Sequence, residues 1–410
     1  MRKTLLTLMC VVSMITTAYA GGFRVSLQGV KQAAMGHTGV AVVHDASSVF
    51  FNPAGLALID SKWSVSANVF GLLTDINYQN RLNGASHDTD NPLGTPLALY
   101  VSHKLSDKLA VGLGVYTPYG STVDWGKDWS GQALIRDIAL QSFFIQPTIS
   151  YKLNDWASVG AGFIYATGSV KMNRGANSGG TNIGNANIES DSADGIGYNL
   201  GLMLKPHEKV QVGVNYRSRI DMEAEGEAKI VYEGTGLAGV PNGAVLASDD
   251  WKATLPLPAE LAFGIAYMPT AKWVLEFDLN YAFWSAYKSL DFDFVKGDIP
   301  DSSSKREYEN TLVYRMGASY DFNDRWTGRL GAYYDESPSP GNYFSPETPT
   351  VDNKAISTGL TYNFKNGFSI DGTYMFLSGE ERSFSNIETG WTGEVKASAH
   401  IFGLGASYNF

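Results

Sequence analysis

His400-Ile401-Phe402-Gly403-Leu404-Gly405-Ala406-Ser407-Tyr408-Asn409-Phe410 closes the chain. Taken every second residue, one side of this stretch carries His400, Phe402, Leu404, Ala406, Tyr408 and Phe410. The other side carries Ile401, Gly403, Gly405, Ser407 and Asn409. Alternation with a period of two is the signature of a β-strand with two different faces. A strand that ends on Phe at the last position is typical of exported barrels, in which the assembly machinery reads that strand.

The pattern recurs upstream. Trp63, Val65, Ala67 and Val69 alternate with serines and Asn68. Leu109, Val111, Leu113 and Val115 alternate with Ala110, Gly112 and Gly114, and Val210, Val212, Val214 and Tyr216 with Gln211, Gly213 and Asn215. Trp273, Leu275, Phe277, Leu279 and Tyr281 alternate with Glu276, Asp278 and Asn280. A soluble sandwich turns its apolar face inward. Here the polar face carries charge in mid-strand, which points to a water-filled lumen. The apolar face begins or ends on Trp or Tyr, as interfacial girdles do.

Turns between these runs are short and long by turns. Ser106-Asp107, Asn154-Asp155 and Lys365-Asn366-Gly367 are tight, whereas 77–96, 121–138, 174–194, 224–251, 294–308 and 337–354 are long. A barrel with tight periplasmic turns and longer outer loops has this asymmetry. The reading is an all-β transmembrane antiparallel barrel of about 14 strands, placed near 62–73, 96–104, 107–118, 138–153, 156–173, 194–206, 209–224, 253–270, 272–297, 308–320, 325–335, 354–364, 367–380 and 394–410.

Composition agrees. Among 410 residues there are 44 Gly, 22 Tyr and 20 Phe, only 18% are charged, and no apolar run beyond the start is long enough for a helical span. Residues 1–20 read as a secretory signal peptide: Arg2 and Lys3, an apolar run, then Ala18-Tyr19-Ala20 as the cleavage site. The one cysteine, Cys10, lies in that run, so the mature chain folds without disulfides. Without Arg2 and Lys3, 29 basic residues face 41 acidic ones, a net charge of −12 that would repel nucleic acid. The competing class is a soluble exported sandwich or propeller; no blade repeat at a fixed period supports it.

Residues 21–60 do not fit the strand pattern. They contain Asp45-Ala46-Ser47-Ser48-Val49-Phe50-Phe51-Asn52-Pro53-Ala54-Gly55-Leu56. Pro53 fixes its own φ and drives Asn52 out of the helical region. A barrel of this size leaves a lumen too wide for its own side chains to fill. The segment is expected to be a hatch that plugs it, with 61–410 as the barrel. A disordered tail is the alternative, and Val40, Val42, Val43, Phe50 and Leu56 count against it.

At these residues the chain resembles the FadL family of outer-membrane transporters of long-chain fatty acids and hydrocarbons. The resemblance rests on Gly22-Phe23 after the cleavage site, Gly36-x-x-Gly39, Asp45-Ala46-Ser47, Asn52-Pro53-Ala54-Gly55-Leu56, Leu255-Pro256-x-Pro258, Tyr334-Asp335-Glu336-Ser337-Pro338 and the closing strand. It implies a plugged fourteen-stranded barrel in the bacterial outer membrane that captures a greasy molecule outside, holds it within, and releases it sideways through a gap at a kinked strand. Gly22 and Phe23 match the N-terminus that reaches the ligand and moves. Gly112, Gly114, Pro118 and Gly120 are candidates for the kink and lateral opening. Phe50, Phe51 and Leu56, with Phe23, are candidate lining, or plain hatch–barrel packing. Arg136 is the candidate holder of a carboxylate, or an ordinary loop charge. Asn52, Pro53 and Ala54 are the hatch motif and set its shape.

No cofactor, metal or catalytic group is expected. His37, His44 and Asp45 match no metal spacing, and there is no Gly-x-Ser-x-Gly or His-Glu-x-x-His. The expected function is passive uptake of hydrophobic molecules, foremost long-chain fatty acids. The expected partners are those small molecules, outer-membrane lipids and, through Phe410, the assembly machinery, with the chain a monomer. A general aqueous porin and, further off, an outer-membrane lipase are the rival functions. An energised plugged receptor needs a larger plug and a longer chain.

Overall fold

The computed structural model describes residues 21–178, 180–234 and 236–410; the expected signal peptide lies outside them. Fourteen antiparallel strands close into a barrel. They are β1 (Trp63–Gln79), β2 (Leu97–Lys104), β3 (Leu109–Tyr116, resuming as Gly120–Asp124), β4 (Asp137–Asn154), β5 (Ala157–Ser178) and β6 (Thr181–His207). Next come β7 (Val210–Arg217, resuming as Ile220–Tyr232), β8 (Val245–Leu257, resuming as Glu260–Tyr267) and β9 (Trp273–Ala282, resuming as Ser289–Phe294). Last are β10 (Thr311–Asp321), β11 (Trp326–Asp335), β12 (Asn353–Asn363), β13 (Phe368–Gly379) and β14 (Thr392–Asn409). Closure is made by β1 against β14, from Ser64 opposite Asn409 to Gln79 opposite Glu394. A closed sheet leaves no edge to satisfy in lipid.

The faces follow the period-two reading. Phe402, Leu404 and Tyr408 are exposed, while Ile401, Gly403, Gly405 and Ser407 are buried. Val65, Val69, Leu113, Phe163, Phe263, Ile265 and Phe277 also point outward, so the barrel exterior is apolar where it meets lipid. An aromatic girdle marks the short-turn end: Trp63 stacks on His103 at 4.0 Å, Trp273 packs on Tyr320 at 4.6 Å, and Trp326 on Tyr362 at 4.8 Å. Two of the expected long loops are partly strand. The β5–β6 hairpin continues to Ser178 and Thr181, and β7 to Tyr232, so the wall rises well above the girdle. The outward faces of these extensions are polar and their apolar residues, such as Ile188, Ala228 and Ile230, point inward, so they escaped a pattern that looks for an apolar outer side.

Residues 21–60 fill the lower lumen. Helix α1 (Val30–Ala33), helix α2 (Ser48–Phe51) and a 3-10 turn (Pro53–Leu58) are almost wholly buried. Asn52 is extended, at φ −162°, and opens the 3-10 turn: its Oδ1 accepts from Ala54 N at 3.2 Å, with Pro53 at the first position. Its Nδ2 donates to Val40 O at 2.8 Å and to Leu202 O of β6 at 3.1 Å. Ala54 O accepts from the hydroxyls of Ser150 and Ser158 at 3.0 and 2.9 Å. The motif residues thus shape the plug and dock it on β4, β5 and β6.

The expectation of a wet lumen behind Glu276 and Asp278 is overturned. Their side chains are buried, at 4% and 0% exposure, and accept hydrogen bonds from the hatch backbone. Gly39 N and Val40 N donate to Asp278 Oδ2 at 2.9 and 3.2 Å, and Ala41 N donates to Glu276 Oε1 at 2.9 Å. Beside them the wall must be thin. A side chain at Gly213 would overlap the Val40 carbonyl, and one at Gly331 would overlap Gly36. Gly112 and Gly114 belong to the same set. They sit in unbroken pairing with β2 and β4, and the space beside them holds Val49 and Leu56 of the hatch. They are glycine for plug packing and do not bend the strand.

Candidate functional site

The break in β3 falls at Thr117-Pro118-Tyr119. Below it Tyr116 lies opposite Phe144; above it Gly120 lies opposite Gln141, so three residues of β3 span two of β4. Pro118 has no N–H to give to a ladder. Pairing between β2 and β3 ends at Ala98 and Tyr116. Above that point the N-terminal segment takes over the edge. Val25 N donates to Pro118 O at 2.7 Å, Gly120 N donates to Phe23 O at 2.9 Å, and Arg24 bridges to Tyr119. Of the four candidate kink residues, Pro118 and Gly120 are at this break and Gly112 and Gly114 are not.

Residues 23–25 divide two chambers, with Phe23 turned to the upper one and Arg24 and Val25 to the lower. Phe23 is the floor of the upper one. Its ring meets Trp284 at 5.0 Å, Tyr287 at 5.8 Å and Tyr119 at 6.0 Å. Gly22 precedes it at φ +79°, and any side chain there would strike Trp284. Above Phe23 is a cavity of roughly 900 Å³ walled by inward residues of β4 to β9, among them Leu140, Val170, Met222, Leu255, Tyr287 and Phe292. Arg306, Glu347 and Thr348 are in its roof, and Arg306 Nη2 is 3.4 Å from Glu347 Oε1. Tyr119 reaches the cavity beside the β3 break. The lining is otherwise almost wholly apolar, as a site for an apolar molecule requires.

The lower chamber is polar. About 500 Å³ is bounded by Arg24, Arg217, Glu260, Asn280 and Arg315, with Phe50, Phe51, Val40 and Pro118. Arg24 binds Glu260 at 3.2 Å and Asp335 at 3.0 Å. The two carboxylates hold its charge firmly, raising the guanidinium pKa against the opposing effect of burial. Deeper in the hatch, Lys31 binds Asp45 at 2.9 Å, and this keeps the Asp45 carboxyl below the usual carboxylate range although burial pushes the other way. Burial lowers His44 to about 3, with Arg329 and Lys31 adding to the effect and Asp45 opposing it, and burial holds His37 well below its ordinary value. Neither histidine joins a metal-type cluster among the described residues.

The candidate residues therefore separate. Phe23 lines the apolar cavity; Phe50 and Phe51 line the polar chamber. Leu56 packs against Gly112 within the hatch–barrel contact. Arg136 lines neither chamber. It is buried at the base of an outer loop, and its two terminal nitrogens grip Glu233 at 2.9 and 3.0 Å. Sequence reasoning missed Tyr119, Trp251, Trp284, Tyr287 and Arg217. Each lies on or beside a strand extension or a strand break, where the alternation that flagged the regular strands is lost.

The sequence profile of the family described as outer membrane protein transport protein (OMPP1/FadL/TodX) matches residues 11–410. The chain belongs to this family. A long-chain fatty acid transport protein of Escherichia coli O6:H1 is 26% identical over 449 residues, covering 100% of both chains. The 47 kDa outer membrane protein of Pasteurella multocida is 25% identical, covering 94% of this chain and 92% of its own. The crystal structure of a Pseudomonas aeruginosa FadL homologue matches with TM-score 0.84 at 20% identity, over 95% of this chain and all 100% of that one. The Pseudomonas putida toluene transporter TodX matches with TM-score 0.77 at 19% identity, over 93% and 98%. As a FadL-family member the protein is an outer-membrane β-barrel transporter of hydrophobic compounds and not an enzyme.

Proposed function

We propose that the protein carries long-chain fatty acids and comparably apolar molecules inward by passive transport, holding them in the upper cavity and releasing them laterally at the β3 break. The observation that carries this reading is the cavity itself. Its apolar lining ends at Phe23 on one side and at Tyr119, beside Pro118, on another. Each methylene moved from water to such a lining gains about 0.8 kcal/mol, so a chain of a dozen carbons is held without a strong polar anchor. The named functions of the relatives, fatty acid transport and toluene transport, bracket the same class of cargo. Gly22 and Phe23 would govern release, because moving them opens the floor and frees the β3 edge at once.

A general aqueous pore is disfavoured by the hatch, in which every residue of 21–41 except Ser26 is buried. We further propose that the protein acts as a monomer and that Phe410 is the residue read during membrane assembly. Mass spectrometry of ligands extracted from protein purified in mild detergent tests the cargo: apolar carboxylic acids or hydrocarbons are expected. A large, steady single-channel conductance would instead favour the porin and sink the transport reading.

A further inference from the structure

The wall has a second discontinuity, between β8 and β9. These strands are paired from Glu260 to Tyr267 against Ala282 to Leu275, and again where Trp251 and Lys252 meet Phe294 and Asp293. Between those rungs seven residues of β8, 253–259, face ten of β9, 283–292. Phe283 N donates to Ala259 O at 2.9 Å at the lower end. Above that bond no ladder joins the two stretches among the described residues, although each is paired on its far side. Ala253 to Leu257 run against Ala224 to Ile220 of β7, and Ser289 to Phe292 against Lys305 to Ser302. Pro256 and Pro258 have no N–H to offer a ladder. The surplus of β9 is taken up in a 3-10 turn, Trp284–Ala286.

This seam separates two spaces. Ala253, Leu255 and Leu257 on one lip, and Tyr287, Leu290 and Phe292 on the other, line the upper apolar cavity. Outside, Lys252, Thr254, Asp291 and Asp293 line a hollow, and Ala253 borders both spaces. The exposed apolar run of β8, from Tyr267 to Leu261, stops below the seam. Beside the seam the exposed residues are Thr254, Ser285, Lys288 and Asp291. Unpaired backbone groups are costly in lipid, but on a polar outer face water satisfies them. The β3 break therefore carries a covering segment and this seam needs none.

From this geometry we infer that the β8–β9 seam is a side entrance. Apolar molecules pass from the outer hollow between the two lips into the upper cavity, leaving release to the β3 break. The inference rests on the proposed transport of apolar molecules and deepens it by naming the way in.

Cys10, the only cysteine, lies in the expected signal peptide, so introduced thiols can be joined cleanly. Thr254→Cys with Asp291→Cys, linked by a reversible bis-methanethiosulfonate reagent, ties the lips together. Glu223→Cys with Thr254→Cys places the same reagent in the same hollow, across a paired β7–β8 rung. Circular dichroism and heat-shifted gel migration show that both proteins are folded, and mass spectrometry that they are linked. Quenching of tryptophan fluorescence by dibromostearate is followed by stopped flow in detergent. The component lost in Trp251→Phe reports arrival in the cavity that Trp251 lines. Tying the lips should slow that component at least about tenfold and leave Kd unchanged, because a blocked path slows both directions. Dithiothreitol should restore the rate, and the β7–β8 link should leave it near that of the unlinked protein. Slowing by both links still places the route through the hollow and supports the entrance. An unchanged rate with the lips tied overturns the inference and leaves the roof beside Arg306 and Glu347 as the way in. Absence of the Trp251 component before any link is made removes the transport reading and the entrance with it, so the two failures are told apart.

Discussion

Replacing Asp278 with Ala should unlatch the hatch. Asp278 Oδ2 is the acceptor for both Gly39 N and Val40 N, and both pairs are buried. A hydrogen bond to a charged group contributes about 1.5–3 kcal/mol, so losing two suggests roughly 3–6 kcal/mol. Two effects reduce this. The buried carboxylate no longer needs to be desolvated, and Glu276, two residues away on the same face, loses a like-charged neighbour. A net weakening of about 2–4 kcal/mol remains, which raises the undocked population by roughly 30- to 1,000-fold. Arg24 and Lys31 are buried in the docked hatch, so trypsin cleavage at those two sites reports undocking. Cleavage in Asp278→Ala should be at least about thirtyfold faster than in wild type, and planar-bilayer recordings should show brief openings absent from wild type. Wild-type cleavage rates together with a silent bilayer would refute the latch, and would mean that apolar contact alone holds the plug.

The other predictions concern the same plug. Gly213→Val should force the Val40 carbonyl away from the wall and speed the same tryptic cleavage, whereas Gly372→Val, where a side chain meets open space, should not. Phe23→Ala should open the floor of the cavity; removing a buried Phe side chain typically costs about 3–5 kcal/mol, and the dissociation rate of a bound fatty acid, followed by stopped flow, should rise at least tenfold, as should deletion of Gly22-Phe23. His37 and His44 are both depressed in the folded state, His44 to about 3. The unfolded chain therefore binds the extra protons below about pH 6.5, and stability falls as pH drops from there toward 3, by about 1.4 kcal/mol per pH unit for each histidine. His44→Gln should remove one proton's worth of that slope in denaturant titrations.

Strand alternation made the barrel legible because lipid and lumen impose opposite demands on successive residues. The same rule hid two things. Where the wall rises on β5, β6 and β7, the outward face turns polar and the apolar residues, such as Ile188, Ala228 and Ile230, point inward, so the expected apolar-out pattern is lost and the sequence reads as loop. Where the lumen is filled by the plug, a charge on the inner face is no sign of water: Glu276 and Asp278 look like pore residues but are docking posts. Gly112 and Gly114 likewise read as breaks when they are clearances, and only the position of Val49 and Leu56 tells the two apart. Arg136 drew notice as a lone arginine, yet Glu233, far along the chain, neutralises it. Arg217 carries no sequence mark at all; its place over the Phe50 ring and opposite Glu260 is a property of the assembled chamber.

A break in a membrane barrel carries its own penalty, because backbone groups left unpaired in lipid cost several kcal/mol each. The three-residue segment Phe23-Arg24-Val25 offsets that penalty here with two backbone hydrogen bonds to Pro118 and Gly120. A patch of this kind differs from a welded strand. It is short, and each bond contributes about 1 kcal/mol net where water can replace it. Its firmest anchors are Phe23, held by three aromatic rings, and Arg24, held by two carboxylates. One is apolar and faces the cavity; the other is ionic and lies among the charged groups of the lower chamber. A fatty acid brings both kinds of competitor, a chain for the first anchor and an anion for the second, while a hydrocarbon brings only the first. The wall should therefore open more readily for the acid, at equal chain length, than for the corresponding alkane.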